Sequence, residues 1–246
     1  MRVHKMSVEE KREKVQYTLH RQKNRRHIAL KVGDDGLIRV YAPTYVPLSA
    51  IEEVITNHRG WLKKKQTEVA NLPQPLAKHT YQSGDKFLLL SQELQLEVYE
   101  NASRGTLCSK DGEKLIVKAG PRATPLTVKR SIEQWYRHYG EELYLGLVKE
   151  WIERIEEKPA ITMQRVKIVA FPKRWGSCTQ EGELSFALRS LMLPLSLVSY
   201  LALHETLHLY EFNHSRRFRD LLDHYMADWR QRQREMSTLR RQVASL

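Results

Sequence analysis

Three of the ten histidines, His204, His208 and His214, fall within eleven positions, inside the stretch LALHETLHLYEFNHSRRF that runs from residue 201 to 218. The segment ahead of His204, SLVSYLAL, is almost wholly apolar, so a helix over residues 196–212 has to be buried on most sides. A buried helix cannot leave two imidazoles and a carboxylate without partners, because an unpaired buried polar group costs roughly 2–7 kcal/mol. The fold must therefore wrap an apolar helix and still satisfy His204, Glu205 and His208. The two histidines are four apart, about 6 Å along one helix face, so both imidazoles can reach one ion. Glu205 lies about 100° around the helix. There it can address a metal-bound water without being a ligand itself. Zinc lowers the pKa of bound water toward roughly 7, and an adjacent carboxylate can then act as general base. The competing reading is an amphipathic helix with surface histidines, since composition alone yields HExxH in roughly one chain per hundred of this length. The apolar run before His204 weighs against it.

On an unbroken helix His214 would sit about 15 Å along the axis from His204. It can join the same ion only if the helix stops and the chain turns back. The sequence predicts that stop between Leu209 and Asn213, with Asn213 in a cap or left-handed position. A new helix then runs from residue 215 to about 241, with Ser215 as its cap and Phe218 and Leu222 on its buried face. The spacing H-E-x-x-H-x5-H is that of metzincin ligands, although Glu211 stands where that motif has glycine. Three histidines leave a fourth coordination position for water, as in catalytic rather than structural zinc sites.

Elsewhere YTLHRQ, HIALKV and LIRVYAP read as strands, the last two joined by a turn at GDDG. One helix is expected after Pro47 over residues 48–72, with Ser49 as cap, until LPQPLAKH breaks it. FLLL, LQLEVYE, GTLCSK and KLIVKA give a second β-rich stretch. A long helix follows, capped by Thr124, with Pro125 in its first turn and Pro159 past its end. Trp135, Tyr139, Leu143, Leu147 and Trp151 recur every four residues and predict its buried stripe. RVKIVAF and ELSFAL are strands flanking PKRWGSCTQEGE. The expected architecture is α+β. A charged leader over 1–15, frayed or helical, precedes a β-rich N-terminal half with one helix over 16–120. A zincin-like C-terminal half over 121–246 then has a long backing helix, a small sheet, the HExxH helix and a basic C-terminal helix.

Formal net charge is +12, spread over both halves. Clusters occur at Arg21, Lys23, Arg25 and Arg26, at Lys63, Lys64 and Lys65, and at Arg230, Arg232, Arg234, Arg240 and Arg241. Such a surface suits nucleic acid or acidic proteins, or serves solubility alone. No apolar run approaches the roughly 18 residues that span a bilayer, and the charged N-terminus is no secretory signal. Cys108 and Cys178 form no CxxC pair, which fits free thiols in a reducing cytoplasm.

The stretch RWGSCTQEGELSFALRSLMLPLSLVSYLALHETLHLYEFNHSRRF, residues 174–218, resembles the YgjP-like metallopeptidase domain family, a relative of the SprT and WLM metallopeptidases. RWGSC, a glycine-bearing hairpin, a strand, a proline, an apolar helix entry, HExxH, NHS and a phenylalanine recur in the family's order. RRHIALKV, GWLKKK and YQSGDKFLLL fit its N-terminal region. Thr206, Arg219 and the pair Phe186–Ala187 stand where the family usually has Leu, Trp and Leu-Asn. The resemblance implies that His204, His208 and His214 hold Zn2+, and that Glu205 is the general base and acid in peptide-bond hydrolysis. It also sets Arg174, Trp175, Gly176, Ser177 and Cys178 beside the active helix. There the first four either contact an extended peptide or simply form a tight connection in which Gly176 permits the turn. Cys178 as a fourth ligand would close the site. Tyr200, Tyr210, Tyr225 and His224 are candidate oxyanion stabilisers, with core packing as the alternative for each. The expected partner is a peptide or protein substrate, with nucleic acid as a further candidate. The rival reading is a metal-stabilised, nucleic-acid-associated binding protein with little or no protease activity.

Overall fold

A computed structural model describes residues 3–10, 13–33, 35–71, 79–100, 105–240 and 242–243. It is a mixed α+β structure with three small mixed sheets and six helices among the described residues. The chain separates into two compact units, residues 1–73 and 74–246.

The first unit is a four-stranded sheet in the order β1-β2-β4-β3, built from β1 (Val3–Glu10), β2 (Glu13–Gln22), β3 (Ala29–Val32) and β4 (Ile38–Pro43). Val3–Glu10 is thus a strand antiparallel to β2 rather than a frayed or helical leader. β2 and β4 run parallel, and alternation along them sends Tyr17, Leu19, Ile38, Val40 and Ala42 to one face. Ile51 and Ile55 of α1 (Leu48–Asn57) and Leu62 of α2 (Arg59–Ala70) cover that face. The single helix expected over 48–72 is two, interrupted at His58, whose imidazole Nδ1 lies 2.8 Å from the Val54 carbonyl oxygen. Its N-cap is Pro47, without a side-chain cap, not Ser49. LPQPLAKH, apart from its last residue, lies outside the described residues.

The second unit has one continuous core. One four-stranded sheet, β5-β6-β8-β7, comprises β5 (Lys86–Leu89), β6 (Gln92–Glu100), β7 (Leu107–Asp111) and β8 (Lys114–Ala119). The other is three-stranded, β10-β11-β9, from β9 (Arg165–Val169), β10 (Gly176–Cys178) and β11 (Glu183–Ala187). Helix α3 (Pro125–Arg154) packs against both, and against α4 (Leu195–Leu207). The boundary expected near Gly120–Pro125 falls inside this unit. Leu115 and Val117 of β8 share one core with Val128 and Ile132 of α3, so the two halves do not fold as separate units at that boundary.

α3 begins as its sequence predicts. The Thr124 hydroxyl accepts from Thr127 N–H, Thr127 returns the bond, and Pro125 needs no N–H partner at the first position. Its buried stripe is displaced by one residue from the expected row. Ile132, Tyr136, Gly140, Tyr144 and Val148 are buried, as is Trp151 of the expected row, whereas Trp135, Tyr139, Leu143 and Leu147 are only partly so. Two polar tips found partners: Tyr136 donates to Leu88 O at 2.9 Å, and the Tyr144 hydroxyl lies 2.7 Å from Ser190 Oγ. Gly140 lets Leu191 and Ile168 approach where a side chain would stand. The expected last helix is also two, α5 (Arg216–Tyr225) and α6 (Trp229–Leu239).

Candidate metal centre

α4 is flanked on nearly every side. Leu197, Val198, Tyr200, Leu201, Ala202, Leu203, Thr206 and Leu207 are all buried, as the apolar run requires. Thr206, a departure from the family pattern, is accommodated because its hydroxyl donates to Ala202 O at 2.7 Å within the helix. The helix ends at Leu207, earlier than expected, and His208 is its C-terminal cap. Turn bonds from Leu209 N to Thr206 O and from Tyr210 N to Leu207 O take up the last carbonyls. Asn213 does not adopt the left-handed conformation expected of it. The reversal is made instead by the turn over 208–210 and the bends that follow. The Ser215 hydroxyl accepts from Phe218 N–H and starts α5, while Phe218 and Leu222 face the core as predicted.

That reversal returns His214 to α4. His214 Nε2 lies 3.0 Å from His204 Nε2, and the ligand atoms of His204, His208 and His214 lie within 4.8 Å of one another. Phe218 touches all three rings, at 5.1 Å from His204, 4.6 Å from His208 and 4.9 Å from His214 between centroids. Its aromatic face is a wall against which the imidazoles are set. Arg219, another departure from the family pattern, donates to His214 O at 3.0 Å and fixes the backbone of the third histidine.

The donor set suits a divalent metal. His208 Nδ1 lies 3.3 Å from Glu211 O, so a proton on Nδ1 is accepted there and Nε2 keeps its lone pair for an ion. Burial, then the charges of His208 and His214, drive His204 down to about 3, so its ring is neutral at any ordinary pH. Burial lowers His208 as well. Facing neutral imidazole nitrogens are what zinc coordination requires. Cys178 stands apart from this cluster. Its thiol donates to Thr179 O at 3.4 Å, and burial pushes it up to about 12.

Glu205 is 5% exposed. Burial pushes its carboxyl up to about 8 in the metal-free state, with the charge of Arg174 acting in the opposite sense. A nearby cation favours the carboxylate. The carboxylate lies against the backbone of Gly176. A Cβ built on Gly176 would come within 2.5 Å of Glu205 Oε1 and 2.7 Å of its Cδ. Gly176 sits in strand β10 and not in a turn, so what it provides is room for Glu205 rather than the expected freedom to turn. Sequence reasoning missed this, although a glycine inside a strand often signals close approach.

The four residues Arg174, Trp175, Gly176 and Ser177 run into β10, the edge of its sheet. Gly176 pairs with Phe186, and Ser177 with Ser185. Arg189, in the short 3-10 turn Leu188–Met192, holds their approach. It donates to Pro172 O at 3.1 Å and to Arg174 O at 3.2 Å, and it stacks on Trp175 at 4.5 Å. A lone arginine in SFALRSLML was the sequence signal for this buried strap. Of the candidate oxyanion groups, Tyr200 is buried with its ring 6.0 Å from His204, and the Tyr225 hydroxyl accepts from Glu156 N–H. Tyr210 Oη is buried without a partner among the described residues, and His224 packs on Tyr225.

The family model for the YgjP-like metallopeptidase domain matches residues 26–239. The chain belongs to the YgjP-like metallopeptidase family. The match begins after β2 in the first unit, runs through the second to the end of α6, and includes every residue of the histidine cluster. No curated protein and no solved structure matched the chain. As a family of metallopeptidases, it implies a metal cofactor and a protein substrate. The three histidines are a group able to hold that metal. No helix among the described residues is long and apolar enough to cross a membrane.

Proposed function

We propose that this chain is a zinc-dependent metallopeptidase that hydrolyses peptide bonds, with His204, His208 and His214 as zinc ligands and Glu205 as general base and acid. The observation that carries this reading is the convergence of three imidazoles, one of them returned by a chain reversal, next to a buried carboxylate. When bound, zinc supplies Lewis acidity, lowering the pKa of a water and polarising a carbonyl. Glu205 takes a proton at its carboxylate and returns it to the leaving amine. Burial removes competing water from Glu205, and Gly176 admits it to the edge strand. The outer edge of β10, unpaired among the described residues, offers backbone groups at Gly176 and Cys178 to an extended peptide, the usual way such an edge is recognised, while Ser177 pairs inward with Ser185. Arg174 and Trp175, strapped by Arg189, shape the entry. Two unpaired cysteines, Cys108 and Cys178, suit the cytoplasm.

Elemental analysis of the purified protein tests the centre. Near-stoichiometric zinc is expected in the wild type, and His214→Ala should lower zinc affinity by at least about 100-fold, since it removes a ligand and not merely a supporting contact. Hydrolysis of an unfolded protein substrate should cease with a chelator and return with zinc. Equal zinc content in the variant and the wild type would remove His214 from the ligand set.

A further inference from the structure

In the first unit, the parallel strands β2 and β4 end side by side, with Gln22 in register with Pro43. Two loops therefore leave the sheet together. One carries Lys23, Arg25 and Arg26; the other carries Thr44, Tyr45 and Val46. Arg21 ties the second loop to the strand, donating to Pro43 O at 3.1 Å, Thr44 O at 3.1 Å and Val46 O at 2.7 Å. Held in this way, Tyr45 is 73% exposed. The first loop borders an open surface depression lined by Gln22, Lys23, Asn24 and Arg25. Gln22 Oε1 accepts from Arg25 Nε at 3.0 Å, and Arg25 lies over the Tyr41 ring at 5.4 Å, which in turn stacks on His20 at 4.9 Å.

The charge here is uncompensated. Among the described residues Lys23, Arg25 and Arg26 make no ion pair. Of the C-terminal arginines, Arg230 is paired with Asp223 and Arg232 with Asp228, whereas Arg234 and Arg240 have no ion pair among the described residues. Lys65 of the lysine run is paired with Glu68. This end of the first unit thus gathers three cations without ion pairs among the described residues beside an aromatic ring that stands in solvent.

We propose that this end of the first unit is a docking surface for single-stranded nucleic acid, with Lys23, Arg25 and Arg26 on phosphates and Tyr45 stacking on an unpaired base. Cations alone would suit any polyanion. The exposed ring selects among them, since an unpaired base has a free face to stack on, whereas a duplex or an acidic peptide offers none.

Fluorescence anisotropy on the full chain, with a labelled oligothymidylate, tests the proposal. Binding is expected at low salt, falling as salt rises, and tighter than to a duplex of equal length or to polyglutamate. Tyr45→Ala should weaken it by roughly 5- to 100-fold, with recovery in Tyr45→Trp. Lys23→Ala and Arg26→Ala should each reduce the salt dependence. Lys64→Ala on α2 removes the same charge elsewhere and should change little. No binding at low salt, preference for duplex or polyglutamate, an unchanged Tyr45→Ala, or an equal loss in Lys64→Ala would each overturn the assignment.

Discussion

Glu205→Gln is expected to lower peptide hydrolysis by about 10²- to 10⁴-fold while zinc content and the unfolding midpoint stay close to wild type. The two side chains have the same shape, so the buried slot beside Gly176 remains filled. The amide cannot take the proton that hydrolysis requires, and none of the three histidines is altered. The measurement pairs turnover of an unfolded protein substrate with elemental analysis of the same sample. A variant that keeps full turnover would remove Glu205 from the chemistry. If the protein instead has a binding role with little protease activity, the substitution should cost it nothing. That outcome would favour the rival reading.

Gly176→Ala should be nearly as damaging, by a different route. The new methyl group would have to occupy space 2.5 Å from Glu205 Oε1 and 2.7 Å from its Cγ and Cδ. Helix α4 cannot retreat, because Leu201, Ala202 and Thr206 are packed in the core. Glu205 must therefore swing aside or β10 must shift, and a displacement of about 1 Å in a reacting group costs on the order of 100-fold. Zinc content should be unchanged, since no histidine touches Gly176 among its nearest neighbours. A kcat equal to wild type would show that the carboxylate tolerates a different position.

The parts of the molecule legible in the sequence are those set by local chemistry. Thr124 followed by Pro125 started α3, and Ser215 capped α5, because caps act within four residues. The HExxH spacing put two imidazoles on one helix face. Residues whose purpose is set by distant neighbours were misread. The largest apolar side chains of α3 suggest its stripe, yet of these only Trp151 is buried, and Tyr136 and Tyr144 take the core positions because Leu88 and Ser190 supply hydroxyl partners from far along the chain. Asn213 was expected to turn the chain by its own backbone preference. The cap at His208 and the turn bonds made by Leu209 and Tyr210 do so instead. Gly176 reads in isolation as a turn residue, and only α4 lying across it reveals otherwise.

Two bonds in the second unit bear on the order in which this molecule assembles. Leu90 N donates to Leu191 O at 2.7 Å, and Ser91 N to Met192 O at 3.2 Å, so the tip of the β5–β6 hairpin clasps the 3-10 turn that leads into α4. Closing this clasp means bringing together segments roughly a hundred residues apart, a slow event compared with forming a helix. During synthesis the hairpin emerges long before its partner. The apolar α4 helix therefore docks late, and with it comes the burial that holds Glu205 and the imidazoles in place. A newly made chain should pass through a stage with most of its helix formed and the metal centre not yet buried. In refolding, zinc uptake is expected to lag behind the recovery of far-UV circular dichroism, and simultaneous recovery of the two signals would contradict this order.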